Sequence, residues 1–175
     1  MQRVVTPSAC YRCPGVCHRR VIGRGAVPAD LLLIGEAPGK SEEVLRKPFV
    51  GRSGRLLDSA IAHAGGLAGY VPSYYITNCL QCRPHTDDGS NRPPTNEELW
   101  ACLPNLLKVV KRIHPKRILL IGAVARDFLR QTFPDADHIV HPSFVLRTGG
   151  MGSPEYVRIV AGLETIFNQM KEQKR

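Results

Sequence analysis

The chain has 175 residues, 43% of them apolar, and its 24 Lys and Arg against 15 Asp and Glu give a formal charge of +9. That length suits one domain with one core, and no apolar run approaches the roughly 18 residues of a membrane span. The charge excess favours a polyanionic partner such as nucleic acid, but the basic residues are scattered along the chain and name no activity.

In chain order, short apolar runs alternate with longer amphipathic ones, which is the rhythm of βα units. Strands are predicted over Asp30–Gly35, Tyr74–Cys79, Arg117–Gly122 and Asp137–His141. Each is short and largely apolar, as strands buried on both faces are. Helices are predicted over Gly54–Ala64, Thr95–Ile113, Ala123–Thr132 and Glu155–Glu172, and Thr95 with Glu98 reads as a capping box opening the second of them. The expected fold class is α/β: a three-layer α/β/α sandwich around a central, mostly parallel sheet of about four strands, with right-handed crossovers. Residues 1–175 are expected to form a single domain. Ligands of such sheets bind beyond the carboxyl ends of the strands, and the unusual residues fall there.

No apolar stretch follows a basic segment at the N-terminus, so a soluble, cytoplasmic protein is expected. Its six cysteines then point to metal ligation or burial rather than to structural disulfides, because that compartment is reducing.

Four segments carry the candidate chemistry. The first strand runs into Gly35-Glu36-Ala37-Pro38-Gly39-Lys40-Ser41, a turn that can expose its backbone and the Glu36 carboxylate. A phosphate loop needs four residues between its first Gly and the Gly-Lys-Ser, and this chain has three. Pro38 also removes an N–H that would cradle phosphate. A solvated Glu in an ordinary turn is the plainer alternative. Next, Lys47-Pro48-Phe49-Val50-Gly51-Arg52-Ser53-Gly54 sets one aromatic among glycines, where Phe49 can stack on a flat base or simply cap the core. Asn78 ends the second strand; its amide offers the acceptor and donor that reading one base edge requires, and a turn role is the alternative. Last, His141-Pro142-Ser143-Phe144-Val145-Leu146-Arg147 places a histidine that can donate to a departing base, with Ser143 and Arg147 able to hold backbone phosphate.

These segments, in this order on these strand ends, resemble the uracil-DNA glycosylase superfamily and specifically its iron–sulfur branch, family 4. The likeness runs through IGEAPG, KPFVGRSGRLLD, ITNCLQCRP with NRPPTNEELWAC, PKRILLIGAVA and HPSFVLR, over roughly residues 10 to 147. It implies an enzyme that flips uracil out of DNA and hydrolyses its N-glycosidic bond to start base-excision repair, working as a monomer. Phe49 would stack on the base, Asn78 would read its edge, and the backbone at Gly35, Ala37 and Gly39 would line the substrate. His141 would stabilise the departing uracil, and Glu36 would orient water. The resemblance further implies a [4Fe–4S] cluster held by Cys10, Cys13, Cys82 and Cys102, with residues 1–25 as the cluster-binding segment and a structural purpose for the metal. Cys79 is read as core and Cys17 as a spare thiol; a zinc site using Cys79 and Cys82 is disfavoured by the wide gap to the first Cys pair.

The chain departs from the family pattern in three places. The best-known branch of the superfamily has an Asp where Ala37 stands, the stretch His85 to Ser90 is longer than expected, and the segment from Gly122 to His141 is much shorter. Lys111-Arg112-Ile113-His114 echoes a loop of a covalent-trapping relative, but it lies beyond Cys102 in a helix. A non-catalytic iron–sulfur nucleic-acid-binding protein on the same fold is the main alternative, and Glu36, Phe49, Asn78 and His141 together argue against it.

Overall fold

The computed structural model describes residues 19–174. Its strands are β1 (Arg24–Gly25), β2 (Leu31–Gly35), β3 (Tyr74–Asn78), β4 (Arg117–Ile121) and β5 (Asp137–Ile139). Its helices are α1 (Lys40–Leu45), α2 (Arg52–Ala68), α3 (Asn96–Ile113), α4 (Ala123–Leu129), α5 (Pro142–Arg147) and α6 (Pro154–Glu172). The sheet runs in the order β1-β3-β2-β4-β5, with β2 to β5 mutually parallel and β1 antiparallel to β3.

The sheet therefore has five strands rather than about four. The additional one, β1, is two residues long, too short to show any alternation. It sits on the sheet edge by pairing Arg24 with Ile76 and Gly25 with Tyr75. Gly25 has φ 132°, and a Cβ there would lie 2.3 Å from the Tyr74 carbonyl oxygen, so only glycine fits.

Every residue of β2 is buried. Its pleat sends Leu31 and Leu33 into one core and Leu32 and Ile34 into the other. The first face is covered by α2, α5 and α6 through Leu57, Ala60, Val145, Leu163 and Phe167. The second is covered by α3 and α4 through Leu99, Leu106, Ile113 and Leu129. Each fully buried leucine contributes about 1.5–3 kcal/mol relative to exposure, so the three-layer arrangement follows from β2 having no solvent face. Among the described residues no helix is long and apolar enough to cross a membrane.

The four expected helices stand close to their expected positions, α4 ending at Leu129 instead of Thr132 and α2 running longer. α2 continues through Gly65 and Gly66 to Ala68 and ends at Gly69 in the left-handed conformation. Gly65 is not a stop: a Cβ there would lie 2.2 Å from Val71 Cγ2, so glycine lets the returning chain pack against the helix. The six-residue helices α1 and α5 were not expected, because neither spans enough turns to show a period. They occupy the loops after β2 and β5, at the carboxyl ends of the strands.

The capping box of α3 is present as expected. Thr95 accepts from the Glu98 N–H at 3.2 Å, and Glu98 accepts from the Thr95 N–H at 2.8 Å. Glu98 also takes a paired contact from Arg92, at 2.9 and 2.6 Å. Thr95→Ala is expected to lower stability by about 1 kcal/mol, read as a lower urea midpoint with an unchanged slope. An unmoved midpoint would mean that the Arg92–Glu98 pair alone fixes this helix start.

Candidate active site

The site is built on Gly35, the last residue of β2. A Cβ there would lie 2.5 Å from Asn78 Oδ1 and 2.6 Å from Phe49 Cζ. Asn78 is the register partner of Gly35 on β3, so the bare backbone of one strand lets the amide of the next and the ring of Phe49 close over it. Asn78 is 1% exposed, and its Oδ1 accepts no hydrogen bond. Buried acceptors are nearly always satisfied, so this orphan at the end of β3 is a candidate point of ligand contact.

Phe49 has φ 53°, a conformation that costs a non-glycine residue about 1–3 kcal/mol and persists only where its surroundings enforce it. The enforcement is visible on both sides of the residue. Arg24, on β1, donates from Nε to the Pro48 carbonyl at 3.0 Å and from Nη2 to the Phe49 carbonyl at 3.4 Å, and pairs with Asp58 at 2.6 Å. Glu42, on α1, accepts at a single oxygen, Oε1, from the Val50 and Gly51 N–H groups at 3.0 and 2.8 Å. Gly54 completes the seat, since a Cβ there would lie 1.8 Å from the Phe49 carbonyl oxygen.

His141 caps α5, its ring 5.9 Å from that of Phe49. Its Nδ1 accepts from the Ser143 N–H at 3.1 Å and lies 2.8 Å from Ser143 Oγ. A backbone N–H can only donate, so Nδ1 is unprotonated and the neutral imidazole carries its hydrogen on Nε2. Burial, and then the nearby Arg147 cation, push the imidazole pKa below its ordinary value, in keeping with the neutral form. Gly122, at φ 89°, makes room for the ring; a Cβ there would lie 3.0 Å from that of His141.

Two cavities of about 350 Å³ each open at these strand ends. The first lies among Phe49, Asn78, Glu42, Ser53 and His141. The second lies among Glu36, Val124, His141, Ser143 and Arg147. Ala37, Gly39, Asn91 and His141 border both. The anticipated residues therefore meet, but they divide: Glu36 belongs to the second cavity, beside the one that holds Phe49 and Asn78. Its carboxyl pKa is raised by burial. Ser143 is engaged with His141, and Arg147 stands at the exposed side of the second cavity, 6.0 Å over the Phe144 ring.

Asn91 was not anticipated. It opens the NRPPTNEELWAC segment, directly after the longer His85–Ser90 stretch, which His85 and Asn91 close by an antiparallel bridge. Arg83 donates from Nε to Asn91 Oδ1 at 2.6 Å, and also reaches the Gly89 carbonyl at 2.5 Å and Glu43 at 3.4 Å. With Oδ1 so occupied, the amide presents Nδ2 beside Gly39, where the two cavities meet. Glu42 was missed as well; its one sequence signal is an acidic residue close behind the Gly35–Gly39 turn.

Of the cysteines read as cluster ligands, Cys82 and Cys102 lie among the described residues, and Cys10, Cys13 and the spare Cys17 lie outside them. Cys102, near the start of α3, accepts from the Gln81 N–H at 3.4 Å, which places its sulfur beside the loop that carries Cys82. Cys79 is fully buried in the core, as expected. Burial, with Cys102 and Glu36 adding, pushes its thiol pKa up.

The family model for the uracil DNA glycosylase superfamily matches residues 22–163. Among curated proteins, the type-4 uracil-DNA glycosylase of Pyrobaculum aerophilum is 37% identical over 124 residues, covering 70% of this chain and 60% of that protein. That of Saccharolobus solfataricus is 36% identical over 122 residues, covering 69% and 54%. That of Thermotoga maritima is 37% identical over 121 residues, covering 68% and 59%. The chain thus spans between about half and three-fifths of the length of the relatives it matches. The five motifs, the meeting of Phe49, Asn78 and His141 at one cavity, and a match across most of the chain agree: the chain belongs to the uracil DNA glycosylase superfamily.

Proposed function

We propose that this chain is a uracil-DNA glycosylase of the iron–sulfur type, a single domain that acts as a monomer on uracil in DNA and leaves an abasic site. The observation that carries this reading is Asn78, whose buried amide oxygen has no partner and which borders a cavity together with Phe49 and His141. A duplex hides the glycosidic bond, so the nucleotide rotates out of the stack. Phe49 then stacks on the base, Asn78 Oδ1 accepts from uracil N3–H, and the amide N–H donates to O4. The backbone at Ala37 and Gly39 lines the strand that follows the base, Gly35 serving beneath Phe49 and Asn78, and Ser143 and Arg147 at the second cavity face its phosphate.

Breaking the bond sends its electron pair into uracil and leaves positive charge on the sugar. The Nε2–H of neutral His141 donates to the oxygen of the departing base, a preorganised donor where negative charge grows. Glu36 sits one cavity away, at the sugar side, where it orients the attacking water and offsets the cationic sugar. Its burial makes it a better proton acceptor than an exposed glutamate. Asn91 holds its N–H toward the boundary that the glycosidic bond would cross.

The described residues fit a [4Fe–4S] cluster as far as they reach. The Gln81 N–H to Cys102 Sγ contact is the kind of hydrogen bond that tunes a cluster thiolate. Gln81 also receives Arg20 Nη2 at 2.6 Å and, on its carbonyl, the Val21 N–H at 2.7 Å. The start of the described chain, at Arg20 and Val21, thus lies beside the loop that carries Cys82, which supports a cluster shared with the upstream Cys10 and Cys13. The cluster would tie that segment to the loop after β3 and the start of α3, and its chemistry is architectural because hydrolysis needs no redox step.

Incubation with a single-stranded oligonucleotide containing one uracil is expected to yield alkali-labile abasic sites, and none from the thymine counterpart. Asn78→Asp, which replaces the amide N–H by oxygen, is expected to abolish this cleavage; intact uracil oligonucleotide with the parent protein would overturn the reading. Protonating His141 at Nδ1 would break its bond from the Ser143 N–H, so the saturating single-turnover rate is expected to fall as pH drops through the lowered imidazole pKa, below 6.5. Arg147→Met, which removes the cation that depresses this pKa, should move that acid limb to higher pH. His141→Ala should slow cleavage by on the order of 10²–10³. An acid limb unmoved by Arg147→Met would assign it to Glu36 instead. Finally, anaerobically purified protein is expected to be brown with about four irons per chain; stoichiometric zinc without sulfide would exclude the cluster.

A further inference from the structure

Phe49 is braced from two directions by opposite charges: the Arg24 cation takes the carbonyls of Pro48 and Phe49, and the Glu42 carboxylate takes the N–H groups of Val50 and Gly51. The two peptide units flanking the left-handed residue are therefore both held by side chains from elsewhere in the chain. The N-cap of α2 is Gly51, which has no side chain with which to cap its own helix. Glu42 on α1 instead accepts from the N–H groups of Val50 and of Gly51 itself, eight and nine residues downstream of it, and its negative charge lies at the positive end of α2. Its carboxylate also fills the space at Gly39 and Gly51, where added Cβ atoms would lie 2.9 and 3.2 Å from its oxygens. Glu42 borders the cavity of Phe49 and Asn78.

We infer that Glu42 is a positioning residue for base binding: it fixes the loop that holds Phe49 in its left-handed conformation, and so sets the affinity for the flipped base without taking part in bond cleavage. This rests on the glycosylase reading and deepens it. Without Glu42, the Val50 and Gly51 N–H groups turn to water, the loop relaxes toward ordinary backbone angles, and the ring leaves its seat over Gly35. Because both N–H groups donate to the same oxygen, the brace needs an acceptor at that point and not a charge. A glutamine, whose carbonyl oxygen can occupy the Oε1 position, should serve nearly as well as the carboxylate.

The test is single-turnover cleavage of a uracil oligonucleotide across enzyme concentrations, which separates half-saturation from the rate at saturation. Glu42→Ala is expected to raise the half-saturating concentration on the order of tenfold, the loss of one base–aromatic stack, with the saturating rate within about threefold of the parent. Glu42→Gln is expected to restore half-saturation to within about threefold. Since Glu42 acts through the ring, Phe49→Ala should raise half-saturation in the parent but add nothing to it in Glu42→Ala. Thermal unfolding of each variant checks that the fold persists, and Glu42→Gln serves if Glu42→Ala does not fold. Additive effects of the two alanine variants, or a Glu42→Gln variant impaired at saturation, would overturn the inference and make Glu42 a group that touches the substrate. A parent protein that leaves uracil uncut would instead remove the glycosylase reading itself.

Discussion

The left-handed backbone of Phe49 is the constraint from which much of this molecule follows. A phenylalanine at φ 53° is held only if its surroundings leave it no better choice, and the chain supplies those surroundings from four directions. Gly35 beneath it lacks a Cβ, Gly54 behind it admits its carbonyl, Arg24 draws on its oxygens and Glu42 draws on the N–H groups that follow. Two elements too small to stabilise the fold by burial find their purpose here. β1 is two residues long and carries Arg24; α1 is six residues long, buries none of them and carries Glu42. The strain of about 1–3 kcal/mol at one residue is spread over interactions that each contribute on that order when charge-assisted.

Around this seat the protonation states are arranged in opposite senses. Burial lowers the pKa of His141 and raises that of Glu36, because in each case it disfavours the charged form. For the imidazole this reinforces what the Ser143 N–H already dictates, a neutral ring with its proton on the far nitrogen. For the carboxyl it sharpens proton affinity at the side of the second cavity. Both residues border the second cavity, as does Asn91 with its Arg83 support.

Much of this was legible in the order of residues. β2 to β5 and the four longer helices showed because each repeats its period enough times to be seen, and the Thr95–Glu98 box showed because capping is local. Asn78 and His141 stood out because a parallel sheet gathers its strand ends, and Phe49 because it is one aromatic among glycines before a helix. What stayed hidden acts across distance. Arg24 meets the carbonyls of Pro48 and Phe49 from 24 and 25 residues away, and no local pattern encodes such a meeting. Asn91 depends on an arginine eight residues earlier and on a loop closed by a single bridge. The division of the site into two cavities, with Glu36 in one and Asn78 in the other, is set by which way side chains leave adjacent strand ends, and spacing does not reveal it.

The amide oxygen of Asn78 carries one more implication. An acceptor sealed in the interior with no partner is costly, by about 1–3 kcal/mol, and whatever supplies an N–H relieves that cost on arrival. A uracil base that has been cut free still bears the N–H and carbonyl edge of the nucleotide, and the ring of Phe49 still lies against its face. Under the proposed function, the grip that selects the base would equally be a grip on the leaving product. On the glycosylase reading, departure of free uracil would restore the orphaned oxygen, so the pocket would favour occupation by its own product, and the abasic DNA, held mainly through phosphates and screened by salt, would be the partner with less reason to stay.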